Sequence, residues 1–140
     1  MILTPHFTLE ELTFTNHREF DNTPGDLQIN NLRRLAEFLE QVRTLLGQPI
    51  LVDSAYRSPE VNKAVGSKPT SQHLLGCAAD IRVMGMTPAE VVKTIHESDL
   101  KYDQLILELG WTHISIPNNP LASPREMALI IDKQGTRFYA

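Results

Sequence analysis

Between residues 27 and 46 the chain places apolar side chains at three- and four-residue steps: Leu32, Leu35, Leu39, Val42 and Leu46. That spacing predicts an amphipathic helix of about five turns with one buried stripe. Gly47 and Pro49 follow it and stop it. Ahead of it, FTLEEL sets Thr8 three residues before Glu11, a capping-box pattern that opens a short helix. Residues 15–26, with Asn22, Pro24 and Gly25, read as loop. PILVDSAY, Pro49 to Tyr56, reads as a strand. Ser58, Pro59 and Glu60 then start a helix with Ser as its cap and Pro at its first position, and Gly66 ends it. Ser67 to Gln72 is a polar loop leading into His73.

From Gly76 to Val83 the period changes to two. Cys77, Ala79, Ile81 and Val83 fall on one face of a strand; Ala78, Asp80 and Arg82 fall on the other. Thr87, Pro88 and Glu90 cap a further helix carrying Val91, Val92 and Ile95. Between Tyr102 and Ile116, two apolar runs meet at Leu109-Gly110, which predicts a hairpin with a two-residue loop. That loop sets Glu108 opposite Trp111, Ile106 opposite His113 and Gln104 opposite Ser115. Opposed residues share a face. Gln104, Ile106, Glu108, Trp111, His113 and Ser115 therefore lie together, with Leu105, Leu107, Leu109, Thr112, Ile114 and Ile116 on the core face. Met127 to Tyr139 reads as another strand pair, turning at Lys133-Gln134-Gly135. The mixed order of elements predicts an α+β fold, a single domain over residues 1–140 with a largely antiparallel sheet and helices on one face.

Composition narrows the classes. The chain has 140 residues, 41% hydrophobic and 21% charged, as expected of a globular protein that buries its own core. A net charge of −4 with interspersed signs argues against nucleic acid as a partner. One cysteine, Cys77, excludes an internal disulfide. MILTPHFTLEEL has neither a basic run nor a long apolar run, so we expect no signal peptide and no membrane insertion.

The chemistry sits in SQHLLGCAAD, Ser71 to Asp80, and in WTHISI. His73, Asp80 and His113 are two imidazoles and one carboxylate, a set suited to zinc. Three protein ligands leave a fourth position for water, the arrangement of a catalytic site. Cys77 falls on the apolar face, away from Asp80, and is rejected as a ligand. Spacing alone leaves plainer readings open. A His and an Asp at this separation are often unrelated surface residues. Glu108 equally suits a solvated hairpin end, Arg57 a surface charge pairing with Glu60, Trp111 a packing residue and Gln104 a partner for backbone groups. His6, His17 and His96 have no partners in pattern and read as structural or exposed.

SAYRSPEVN, SQHLLGCAAD, YDQLILE and WTHIS together closely resemble the zinc D-alanyl-D-alanine metallopeptidases, which include peptidoglycan carboxypeptidases, bacteriophage endolysin peptidases and vancomycin-resistance dipeptidases. Their signature is S-x-H-x-x-G-x-A-x-D followed by W-x-H, and Ser71, His73, Gly76, Ala78, Asp80, Trp111 and His113 fit it. The resemblance runs from about Phe7 to Ile116, and the opening FTLEEL and the long helix also look like the small, single-domain branch common in phage and prophage sequences. It implies a hedgehog/D-Ala-D-Ala peptidase-like fold and one Zn²⁺ per chain, held by His73, Asp80 and His113. It also implies a carboxylate base, and Arg57 on the substrate or its developing charge. In several relatives the base is a Glu three residues before the last His. Here that position is Gly110, and Glu108, five residues before, is the nearest Glu. The hairpin still aims Glu108 at the metal-bearing face, and Asp103 is the next candidate. Ser71, Gln104 and Trp111 are the expected substrate contacts. The expected function is hydrolysis of peptidoglycan stem or cross-link peptides by a monomer made without a signal peptide, acting on the wall after holin-dependent release or from a virion. Two alternatives stay open: a non-catalytic zinc-binding module, as in the hedgehog signalling domain, and a phage structural protein that kept the fold.

Overall fold

Leu32, Leu35, Leu39 and Val42 are fully buried along one side of a helix at Asp26–Leu46, the long helix expected from their spacing. The computed structural model describes residues 1–139. In chain order the elements are β1 (Ile2–Thr4), β2 (Phe7–Thr8), α1 (Leu9–Leu12), α2 (Asp26–Leu46), β3 (Ile50–Ser54), α3 (Pro59–Ala64), a 3₁₀ turn (Gln72–Leu75), β4 (Ala78–Val83), α4 (Pro88–His96), β5 (Gln104–Leu107), β6 (Thr112–Ser115), β7 (Met127–Asp132) and β8 (Gly135–Phe138). The caps are those expected: Thr8, Ser58 and Thr87 each accept a backbone N–H three residues on. Gly47 takes a left-handed φ of 66° and donates to the Arg43 carbonyl, closing α2.

Six strands form one sheet in the order β3-β4-β6-β5-β7-β8. β5 and β7 run parallel, and the other pairings are antiparallel. Ala79, Ile81 and Val83 of β4 join Leu105, Ile114, the α2 stripe and Val91, Val92 and Ile95 of α4 in a single core. The helices thus cover one face and leave the Asp80–His113 face to the cleft. The β5–β6 hairpin has the expected register, with Ile106 opposite His113. Leu109, expected on the core face, is instead 61% exposed, because it sits in the turn itself, beyond the paired residues. At the β7–β8 turn Asp132 pairs with Gly135, so the loop is Lys133-Gln134 alone. No described helix is long and apolar enough to cross a membrane.

Two features place the site. The 3₁₀ turn that carries His73 is pinned to α2, where buried Asn31 donates to the Leu75 carbonyl at 2.9 Å. Gly76 closes that turn with φ +76°, and a Cβ there would stand 2.9 Å from the Gln28 carbonyl oxygen of α2. Only glycine meets both demands.

Candidate metal centre

Asp80 of β4 pairs directly with His113 of β6, so the antiparallel register brings the two side chains to one face. His73 comes from outside the sheet, on its 3₁₀ turn. His73 Nε2 lies 3.4 Å from Asp80 Oδ1, and His113 Nδ1 lies 3.0 Å from the same oxygen. In a tetrahedral zinc site with bonds of about 2.0–2.1 Å, neighbouring ligand atoms are about 3.3 Å apart. One ligand atom from each residue lies within 4.8 Å of the others, which makes this the one such group of three His, Cys, Asp or Glu among the described residues. The donor set can hold a divalent metal.

The atoms behind His73 and Asp80 are also set, whereas His113 Nε2 is buried without a hydrogen-bond partner among the described residues. The second ring nitrogen of His73, Nδ1, is 2.6 Å from the Ala55 carbonyl, so it carries the proton and leaves the Nε2 lone pair turned to Asp80. Arg57 Nη2 donates to Asp80 Oδ2 at 2.9 Å, leaving Oδ1 for the two histidines. Arg57 is 8% exposed and also donates to Ser54 Oγ and Ser67 Oγ. It is turned to Asp80 and not to Glu60. Burial pushes the Asp80 carboxyl up, but hydrogen bonds with His113 and His73 outweigh it and hold the group well below the usual carboxylate range. Burial pushes the His73 imidazole down against the pull of Asp80, which favours the neutral ligand form.

The three residues line a cleft of about 1010 Å³ together with Arg57, Glu108 and Trp111. Glu108 is half-buried just past the end of β5, where its N–H donates to the Trp111 carbonyl. Trp111 Nε1 returns a hydrogen bond to Glu108 Oε2 at 2.9 Å. Burial, and then the charge of Asp80, raise the Glu108 carboxyl above its ordinary pKa. Ser71 lines the cleft, and its Oγ accepts from the His73 N–H. Gln104 lines it too, with its amide against Met127 Sδ at 3.6 Å and not on a backbone group.

Asp103, the second candidate for a base, is committed elsewhere. It is 3% exposed and accepts from the Arg125 backbone and guanidinium and from Gln72 Nε2. Cys77 is buried outside the cluster with Arg34 Nη2 at 3.7 Å, and burial pushes its thiol up. His6 meets Glu40 and His96 meets the Tyr102 hydroxyl, both away from the cleft. Sequence reasoning missed Ser54, Ser67 and the Ala55 carbonyl as supports. The signal for Ser54 was its place in DSAYR, three residues before Arg57; nothing local marks the other two.

A family model described as Peptidase M15 matches residues 5–115, a segment that holds every residue of this cluster and ends before β7. No curated protein matches the chain.

Proposed function

The chain belongs to the peptidase M15 family, and from that premise we propose that it is a zinc-dependent peptidase acting on peptide bonds of bacterial peptidoglycan. The observation that carries this reading is the convergence of His73 Nε2, Asp80 Oδ1 and His113 Nδ1 in a cleft that also holds Glu108. His73, Asp80 and His113 would hold the zinc. When bound, zinc supplies Lewis acidity toward a water and a peptide carbonyl.

The chain's own residues do the rest. Glu108 is the general base. Trp111 occupies Oε2, so the proton of the attacking water goes to Oε1 and from there to the leaving amine. The raised carboxyl suits a group that must both take and return a proton. Arg57 has five N–H donors and uses three on Ser54, Ser67 and Asp80, which leaves two for charge developing on the substrate carbonyl. Ser71 Oγ accepts from His73, so its own O–H is left to donate to a substrate carbonyl. The Gln104 amide oxygen has no donor among the described residues and is placed to accept a substrate N–H. Trp111 walls the cleft beside Glu108.

The resemblance of the whole motif set to small D-alanyl-D-alanine metallopeptidases supports substrates containing D-amino acids, a hedgehog/D-Ala-D-Ala peptidase-like fold and a wall-lytic role of the phage type. The test is incubation of the protein with purified peptidoglycan while new amino groups are followed. Amines that appear with zinc and stop with a chelator support the proposal. Metal binding without amine release would instead favour a non-catalytic zinc module.

A further inference from the structure

The cleft does not end at the histidines. One row of directly paired residues crosses the sheet from the cluster: Asp80 on β4, His113 on β6, Ile106 on β5, Leu129 on β7 and Phe138 on β8. Directly paired residues share a face, so Leu129 and Phe138 stand on the side that carries the cluster. In the next row Ile131 pairs with Thr136, and both line the cleft. Three strand spacings separate His113 from Phe138, about 14 Å, the length of about four residues of extended peptide.

This floor carries no charge from β7 or β8. Arg137 and Asp132 stand on the opposite face, bound to each other at 2.9 and 2.7 Å. Arg125, where the chain enters β7, is held by Asp103. Phe138 is 78% exposed at the sheet edge, continuous with the apolar surface of Leu129 and Ile131. The far end of the cleft differs. Ser67 is bonded to Arg57, at the β3 side of the sheet, and the adjacent Lys68 lines the cleft and takes part in none of the ion pairs among the described residues. Lys68 thus puts an unpaired cation at one end of the cleft, while toward β7 the charged lining residues Arg125 and Asp103 neutralise each other and the strands themselves add none.

We propose that the β7–β8 wing is a substrate subsite for an uncharged stretch of three to four peptide residues, lying over Leu129 and Ile131 with its far end against Phe138. The part of the substrate that bears carboxylates lies toward Lys68. The proposal rests on the reading of this cleft as a peptidase site and deepens it. The substrate is a chain that runs well past the reacting bond, with uncharged residues on the wing side.

The test maps amide shifts of ¹⁵N-labelled, zinc-loaded protein by NMR with three probes: D-Ala-D-Ala, acetyl-(Ala)₄-D-Ala-D-Ala and acetyl-(Glu)₄-D-Ala-D-Ala. The alanine hexapeptide should shift Leu129, Ile131, Thr136 and Phe138, while the dipeptide leaves them in place. Phe138→Ala, a change at an exposed edge that leaves the core intact, should weaken the hexapeptide about tenfold. Wing amides that do not move, or that move equally with the glutamate probe, would overturn the proposal. Mass spectrometry of the same probes and of digested peptidoglycan reads cleavage separately. A protein that binds over the wing but cuts nothing would contradict the peptidase reading and leave the subsite standing.

Discussion

Asp80 and His113 face each other directly across β4 and β6, and Asp80 Oδ1 lies 3.0 Å from His113 Nδ1 although the two residues are 33 apart in sequence. The pairing sets the ligand geometry through backbone hydrogen bonds, so it does not depend on a flexible loop. Metal-free protein should therefore take up about one equivalent of zinc, measured by elemental analysis after dialysis. His73→Ala and His113→Ala should each lose most of it. A full equivalent retained by both variants would show that the metal sits elsewhere.

Glu108→Gln keeps the size of the side chain and its hydrogen bond from Trp111 but cannot accept a proton. It should retain zinc and fold while peptide cleavage falls by roughly 10²–10⁴-fold, the usual span for a lost general base. Wild-type cleavage in this variant would move the base to another residue, and the engagement of Asp103 by Arg125 makes that residue a poor substitute.

Arg57 does more than its sequence position suggests. Its guanidinium ties Asp80 to Ser54 and Ser67, so Arg57→Ala leaves Asp80 Oδ2 unpartnered in a buried site. Zinc affinity should drop by roughly 10–100-fold, as for other partners of metal ligands. Turnover should fall further. Arg57→Lys should restore little, because an ammonium does not reproduce the planar three-way contact. Competition with a zinc-sensitive dye measures the first effect. Unchanged affinity in Arg57→Ala would confine the residue to the substrate.

Gly76→Ala and Gly66→Ala separate backbone strain from crowding. Both glycines have positive φ, +76° and +79°, but only Gly76 has neighbours that a Cβ would strike. Gly66→Ala should cost about 1–2 kcal/mol, the left-handed backbone alone. Gly76→Ala should cost roughly 2–4 kcal/mol, since the 3₁₀ turn must also shift against α2. Urea unfolding measures both; equal losses would mean that the turn has room to move.

Asp103 sets an acid limit on stability. Burial raises its carboxyl, but hydrogen bonds from Arg125 outweigh this and leave the folded pKa below the ordinary value. Its contribution is thus complete above the unfolded pKa of about 3.9 and is lost as pH falls through the lower, folded value. Urea midpoints for the wild type should decline across that acid range. Asp103→Asn should be less stable at neutral pH and show a shallower decline. Parallel curves would place the acid sensitivity on other carboxylates.

Much of this architecture is legible because its signals are local. The stripe Leu32-Leu35-Leu39-Val42 fixes α2, the caps at Ser58 and Thr87 fix α3 and α4, and Leu109-Gly110 fixes the hairpin register that turns His113 to the cleft. Illegible features depend on contacts distant in sequence or on elements too short to show a period. β1 and β2 have three and two residues, too few for alternation to register. The 3₁₀ turn at Gln72–Leu75 exists because Asn31 and Gly76 seat it on α2, so the stretch before it reads only as a loop. The parallel pairing of β5 with β7 follows a long connection that no turn signal announces. In the site, the residue types and their faces could be read, but the tie between Arg57 and Asp80 needed β3 and β4 to be side by side.

Under the proposed function, peptide cleavage depends on the metal that His73, Asp80 and His113 would hold. The direct measurement is the rate of amine release from purified peptidoglycan by metal-free protein as zinc is added in fractions of an equivalent. The rate should rise in proportion to zinc and level off at one equivalent, and His113→Ala should stay flat throughout. Release by the metal-free protein, or none at one full equivalent of bound zinc, would contradict it.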